Sequence, residues 1–589
     1  MLDPQCLSCK KRRVRCDTVQ PGCGQCKKKG IDCPGYRKPL VWVNRTESDA
    51  APPVQRRTKR GADGHGNFVF KTQRIKSSPT NDDDEDDGKR TRGDGVVVRQ
   101  LARPPIPQTW PSADPQMLRL MNWAAHHNDV VAPTPVPDAA FVHMLQAPLG
   151  EWIGCQQAVQ DLWVLLAMQH RVITAETNPQ NDAEVCWYRV RSIAGLNRLL
   201  ADPETQLTDD TLEAVMMLLM AECVEPSAKH DWVEKVQSNA TNTWHHHLQG
   251  AATIVDLRGG WEKHLQERQS EPETILLLLF YDVMSSTTCN AQHLRKPLFS
   301  AAWSDYAAMQ PHWEEAFSHD SSFVLPPPWP LFWSIIRIND VRASMARLNF
   351  AFSDRPHPTG SASAHDFRAT VAAVLRHIRA FDPDAWFRRR RRRRRRRDPS
   401  CVSARNEADH LALLHCLRDA VALYCLRTLV VELTAPFRAW LDDDGGGGGG
   451  GGLLDAVFGG KSAEDVRRGC VRALLARLGF AGVVEGGAGS SSSSSSSSSS
   501  LADDSYAWCG ATWPLFVAGY EVDGCGGSVE EVRAMRAFVA GRLRALAVKT
   551  GTWSDINAAD VLGRVWGMRD EGRGPTWEEV FVERQVLVG

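Results

Sequence analysis

The sequence contains no long apolar run. Runs such as "ILLLLF" from Ile275 fall far short of the roughly 18 residues that a bilayer crossing needs, so no membrane span is expected. It also lacks an apolar leader: "MLDPQC" gives way at once to thiols and charge, which points to an intracellular protein. There is no net charge either, because 70 Lys and Arg offset 70 Asp and Glu. The whole-chain balance therefore favours no partner, and any electrostatic preference must be local. Period-two alternation of apolar and polar residues is scarce, which argues against sheets and for an all-α body. Catalytic signatures are missing as well, with no G-x-S-x-G and no H-E-x-x-H. "DAVFGGKS" ends like a phosphate-binding loop but carries Asp455 where that loop requires its first glycine. The "HHH" run at His245–His247 points three ways from a helix, so a shared metal is not expected there. No catalytic residue is expected, and the chain reads as non-enzymatic.

What the sequence does have is concentrated at its start. "CLSCKKRRVRCDTVQPGCGQCKKKGIDC" places thiols at Cys6, Cys9, Cys16, Cys23, Cys26 and Cys33, in the spacing C-x2-C-x6-C-x6-C-x2-C-x6-C. The pattern is two near-copies of one half. A C-x2-C pair can set both sulfurs on one metal from a single turn, and the third thiol returns after a short helix. Each half offers three ligands where zinc takes four, so six thiolates complete two tetrahedra only if two of them bridge. The first thiol of each half, Cys6 and Cys23, is the natural bridging candidate. The remaining ten of the 16 cysteines, among them Cys155, Cys416 and Cys425, lie singly in apolar context and are expected to be buried thiols.

The same stretch is basic. Residues 1 to 46 carry eleven Lys or Arg (Lys10, Lys11, Arg12, Arg13, Arg15, Lys27, Lys28, Lys29, Arg37, Lys38, Arg45) against Asp3, Asp17 and Asp32. Six thiolates and two Zn2+ together remove only two of the eight excess positive charges, so a metal-loaded module stays cationic and suits a polyanion.

These residues resemble the fungal Zn(II)2Cys6 binuclear-cluster DNA-binding domain. "CKKRRVRCD", Pro21 before the second half and the closing "CPGY" carry the likeness. The resemblance implies two short helices around two Zn2+ ions, with Cys6, Cys9, Cys16 and Cys23 on one ion and Cys23, Cys26, Cys33 and Cys6 on the other. It further implies base contacts from Arg12 and Arg13 to a CGG triplet in double-stranded DNA. Arginine offers a planar fork to guanine O6 and N7, whereas Lys10, Lys11, Arg15, Lys27, Lys28 and Lys29 are candidates for phosphate contacts. The alternative is a zinc-organised interaction protein with no base specificity.

From Glu47 to about Gln116 the composition turns to Pro, Gly, Asp, Lys and Arg with few periodic apolar residues, which reads as a disordered linker. It contains "RRTKR" from Arg56, the acidic run "DDDEDD" from Asp82 and "KRTR" from Lys89. The basic clusters are candidate import signals to the nucleus. No sustained heptads mark a coiled coil, so half-site geometry stays open.

From about Met117 to the end helical patterns dominate. "TDDTLEAVMMLLMAE" sets Asp210 three before Glu213, and "SVEEVRAMRAFVAGRLRAL" sets Ser528 three before Glu531, both as helix starts. In the second, Val532, Met535, Val539, Leu543 and Leu546 line one face. "HLALLHCLRDAVALYCLRTLVVEL" from His410 is apolar enough for a largely buried helix. Three stretches, "WHHHLQGAATIVDLRGGW" from Trp244, "ATWPLFVAGYEV" from Ala511 and "VLGRVWGMRDEG" from Val561, resemble the fungal-specific transcription factor domain. That resemblance implies a helical regulatory half, contact with the transcription machinery and an option to homodimerise, with no transferable site residue.

Three low-complexity tracts, 388–397, 445–452 and 490–500, are Arg, Gly and Ser respectively and are expected as surface loop insertions. The sequence thus divides into a zinc-organised module at 1–46, a linker at 47–116 and an all-α regulatory domain at 117–589. The expected function is that of a nuclear, zinc-dependent, sequence-specific transcription activator, with control of a metabolic or secondary-metabolite gene cluster as one role open to that family. A repressor is the alternative.

Overall fold

The computed structural model describes residues 8–9, 12, 14–17, 23–31, 33, 157–174, 183–223, 243–266, 272–294, 297–319, 327–352, 361–395, 404–432, 457–480, 510–525, 527–550 and 553–581. Among these residues the secondary structure is helical and there is no strand, as the missing period-two alternation predicts. The expected linker, residues 117–156 and the tracts at 445–452 and 490–500 lie outside the described residues.

The N-terminal module contributes α1 (Gly24–Lys28), and Ser8 and Cys9 are helical in the first half. The body begins with three helices packed on one another, α2 (Gln157–Thr174), α3 (Ala183–Ala201) and α4 (Asp209–Cys223). Next come α5 (Thr243–Arg258), α6 (Trp261–Gln266), α7 (Pro272–Thr287) and α8 (Gln310–His319). The long α9 (Trp329–Phe352) is followed by α10 (Ser361–Ala380), α11 (Pro383–Arg395) and α12 (Ala404–Leu426). The last group is α13 (Ala463–Arg477), α14 (Thr512–Glu521), α15 (Val529–Thr550), α16 (Trp553–Asp570) and α17 (Trp577–Val580). One apolar core runs through the body from Ala158 to Phe581.

At the centre of the last group is α14, every residue of which is buried. It packs on α12, α13, α15 and α16, and Gly519 permits the approach: a Cβ there would meet Leu562 Cδ1 at 2.6 Å and Val539 Cγ1 at 2.9 Å. The start signal read at Ser528 is present, since Ser528 Oγ accepts from Glu531 N at 3.1 Å. On α15, Met535, Val539, Leu543 and Leu546 are buried and Val532 is partly buried. The helix read from His410 is α12, whose ladder widens to a π-helical turn over Arg427–Val431. Cys416 and Cys425 are fully buried in it, and burial pushes both thiols well above their usual range.

One loop expectation is corrected. Residues 388–395 of the arginine tract are helical and form the second half of α11. Asp382 Oδ1 caps the start by accepting from Ala385 N at 3.0 Å, Pro383 occupies the first turn and Phe387 is buried. Arginine is itself a good helix former, so a nucleated helix extends through the tract.

Polar groups inside the body are paired across long chain separations. Arg342 of α9, fully buried, donates to Glu578 Oε1 of α17 at 3.0 and 2.8 Å, to Tyr424 Oη at 2.6 Å and to the carbonyls of Ser286 and Cys289 at 3.0 and 2.7 Å. Tyr424 in turn donates to Asn339 Oδ1 at 2.7 Å. Trp577 packs among Tyr424, Phe516, Tyr520 and Phe581, with ring centroids 4.9 to 5.8 Å away, and its indole N–H donates to the Thr287 carbonyl at 2.9 Å. Glu521 lies between Arg427 and Arg467; burial opposes its ionisation, but the two guanidiniums hold its carboxyl below the usual range.

Candidate metal centre and nucleic-acid interface

Four of the six predicted thiols, Cys9, Cys16, Cys23 and Cys26, are buried against one another, with Val14 and Cys33 packed on them. So short a segment has little else to bury, and the sulfurs occupy the place an apolar core would take. Cys23 is the N-cap of α1, and its sulfur accepts from Cys26 N at 3.3 Å. The sulfurs of Cys9, Cys23 and Cys26 all lie within 4.8 Å of one another, and that of Cys23 lies within 4.8 Å of Cys16 Sγ and an Asp17 oxygen. Cys23 is therefore common to both groups of donors. Cys9 Sγ and Cys23 Sγ are 3.5 Å apart, near the ~3.8 Å that two thiolates adopt on one tetrahedral zinc with bonds of about 2.3 Å. Cys33 joins through its sulfur, which accepts from Cys23 N at 3.4 Å. The cluster of sulfurs from Cys9, Cys16, Cys23, Cys26 and Cys33 is a donor set that suits zinc, while the Asp17 carboxylate is engaged by Gly24 N.

The two halves repeat in backbone as well as in sequence. Val14 N donates to the Cys9 carbonyl at 3.0 Å, and Ile31 N donates to the Cys26 carbonyl at 3.1 Å, each five residues on from the second thiol of its half. Each bond turns the chain from a short helix back toward the sulfurs. In the second half the turn runs through Gly30, at φ 64°, a left-handed conformation that glycine adopts without a Cβ penalty.

Asp17 has a role that the cysteine pattern did not reveal. Its carboxylate accepts from Gly24 N at 3.0 and 2.8 Å and so ties the first half to the start of α1. A Cβ at position 24 would meet Asp17 Oδ2 at 2.5 Å, which explains the glycine between Cys23 and Gln25. The available signal was an acid directly after the third thiol and a glycine directly after the fourth.

The basic residues lie outside the sulfur cluster. Arg15, Lys27, Lys28 and Lys29 are exposed. Arg12 is half-buried, and its Nη1 is shielded from solvent with no hydrogen-bond partner among the described residues. Cys6, Lys10, Lys11 and Arg13 lie outside the described residues. The structure thus brings five predicted ligands together and points four predicted phosphate contacts to solvent. In the body, Gly459 and Gly460 lead to Ser462, which caps α13 by accepting from Asp465 N at 3.1 Å. The stretch that resembled a phosphate loop is a helix start.

Two family models match the chain. Residues 5–42 match the fungal Zn(2)-Cys(6) binuclear cluster domain. Residues 134–428 and 493–588 match the fungal specific transcription factor domain. The chain belongs to the fungal specific transcription factor domain family. A curated relative, the phomenoic acid biosynthesis cluster-specific transcriptional regulator of Leptosphaeria maculans, is 22% identical over 440 residues, which cover 72% of this chain and 68% of the relative. No solved structure matches the chain. As a member with an N-terminal zinc cluster, the chain is a DNA-binding transcription regulator whose cluster takes two Zn2+ ions. Both matched families are regulator families rather than enzyme families. Among the described residues no helix is long and apolar enough to cross a membrane.

Zinc supplies folding energy and fixed charge to this module. The chain's residues do the rest: the clustered thiols would hold the metal, Asp17 orients α1, and the lysines after Cys26 face outward. Together they present cationic side chains on a small rigid frame.

Proposed function

We propose that the protein is a nuclear activator of RNA polymerase II transcription that recognises CGG-type triplets. The observation that carries this reading is the Cys23 sulfur, which belongs to both donor groups while the neighbouring lysines point to solvent. In this reading Cys6, Cys9, Cys16 and Cys23 hold one zinc, and Cys23, Cys26, Cys33 and Cys6 hold the other, with Cys6 and Cys23 bridging. Arg12 and Arg13 read base edges, while Lys10, Lys11, Arg15, Lys27, Lys28 and Lys29 neutralise phosphates. Residues 1–46 are the DNA-binding unit, 47–116 the linker and 117–589 the regulatory domain, which contacts the transcription machinery and pairs two copies on paired triplets. The name of the Leptosphaeria maculans relative, a cluster-specific regulator, supports control of a metabolic or secondary-metabolite gene cluster.

Binding-site selection from random duplex DNA with the zinc-loaded full-length protein tests the proposal. Enrichment of CGG triplets is expected, and two triplets at fixed spacing would follow from dimerisation. Arg13→Ala should cost about 1–3 kcal/mol on the selected site and relax base preference, whereas Lys28→Ala should weaken all sequences alike. No enrichment with both zinc ions bound would overturn it in favour of an interaction module without base specificity.

A further inference from the structure

The arginine tract is the strongest charged feature that the zinc module does not account for, and the structure gives it a definite form. Rather than a loop it is the C-terminal half of α11, which is anchored to the body on its other side. Phe387 is buried, Asp384 Oδ2 lies 3.1 Å from His415 Nε2 of α12, and Arg391 Nε pairs with Glu407 of α12 at 2.8 Å. These contacts settle which way the helix faces. Arg388, Arg389 and Arg392 are exposed. Each lacks an ion pair among the described residues, although the capped Asp382 carboxylate lies in the field of Arg388. From Arg388 to Arg395 the helix rises about 10 Å, at about 1.5 Å per residue. The guanidiniums of Arg388, Arg389 and Arg392 on a fixed rod match a row of phosphates, an acceptor that carries no base sequence.

We propose that α11 is a second DNA-contacting surface, which grips the phosphate backbone of the duplex flanking the site held by the zinc module. The inference rests on the chain's DNA binding and assigns a contact in the regulatory body. DNA is favoured because the zinc cluster already brings a duplex to this chain. The consequence is a sequence-independent addition to affinity that grows with duplex length beyond the triplets.

The test uses the zinc-loaded full-length protein and two duplexes, one carrying the selected site with long flanks and one of random sequence. The variant combines Arg388→Gln, Arg389→Gln and Arg392→Gln. Removing three phosphate contacts should reduce the slope of log affinity against log salt by about 2.7 on both duplexes. Between 50 and 200 mM salt the unmodified protein should therefore lose about fortyfold more affinity than the variant. The ratio of specific to random binding should stay unchanged, and trimming the flanks should abolish the difference between the two proteins. A second variant with lysine at the three positions keeps the charge and should restore the slope. An unchanged slope in the glutamine variant, with DNA binding otherwise intact, overturns the inference while leaving the zinc-module reading untouched. Loss in the lysine variant as well also overturns it, by showing that the helix matters as structure. Nuclear exclusion of the glutamine variant with an unchanged slope would make the tract an import signal and overturn it too. If the unmodified protein showed no salt-dependent DNA affinity, the DNA-binding reading itself would fail.

Discussion

The N-terminal module and the helical body solve the same problem with different materials. The module's buried cluster consists of Cys9, Cys16, Cys23 and Cys26, and its other contacts are a few hydrogen bonds such as those from Gly24 to Asp17. The body has an apolar core that extends from α2 to Phe581, and it places arginines inside that core only where carboxylates or carbonyls receive them. One region depends on an ion that enters from outside, whereas the described residues of the other are held by apolar burial and internal ion pairs. The difference teaches that the two regions can lose their folds separately, because among the described residues the module's buried cluster is built mainly of thiols.

Chelation separates the two regions most sharply. Removing zinc should unfold the module, at a cost of about 10–16 kcal/mol of metal-binding free energy, while the body keeps its helical circular dichroism and its melting transition. Equal loss of structure in both regions would break the comparison. Next in size is Trp577→Ala, which should destabilise the body by about 3–5 kcal/mol, read as a lower urea midpoint, with DNA affinity retained where the body remains folded. A drop in zinc content in that variant would show that the two regions are coupled after all.

The third test uses pH. Burial raises the Glu432 carboxyl from an ordinary 4.5 to about 7, against the opposing pull of Arg427 and the N–H of Trp577. Burial also raises Asp282 from 3.8 to about 6, despite hydrogen bonds from Tyr306 and Leu298 N. Each acid binds its proton more tightly in the folded body, so its stabilising contribution is present below the unfolded value and lost as pH rises through the folded one. For Glu432 the window runs from 4.5 to about 7. Relative to Glu432→Gln, the unmodified protein should lose about 3 kcal/mol across it. Parallel stability curves for the two proteins would refute the shift. The smallest effect should come from Ser528→Ala, which removes the cap of α15 and costs about 1 kcal/mol in a thermal melt; no change would mean that the cap hydrogen bond is replaced by water.

What could be read in advance follows from the range over which each signal acts. Cysteine spacing is a local code for metal ligation, so the gathering of Cys9, Cys16, Cys23, Cys26 and Cys33 was legible from the spacing. The cap at Ser528 and the stripe from Val532 to Leu546 repeat within a few turns and were legible for the same reason. The arginine helix was missed because a homopolymer has no periodicity to read; its helicity comes from the Asp382 cap and the Phe387 anchor on its N-terminal side. The pairing of Arg342 with Glu578 was invisible because the partners stand 236 positions apart. Asp17 was read as part of a motif, but its bond to Gly24 N needs the three-dimensional approach of the two halves.

The distance from Arg342 to its carboxylate on α17 also sets an order of events during synthesis. At roughly 5–20 residues per second, α17 emerges about half a minute to two minutes after the module's last cysteine. The zinc cluster can assemble while most of the body is still to be made. Arg342, Tyr424 and Thr287 must wait for Trp577 and Glu578 before their contacts form. A chain interrupted before α17 would therefore carry a finished DNA-binding unit on an unclosed body that holds a charge without its counter-ion. Such a chain would bind DNA while its body stayed open.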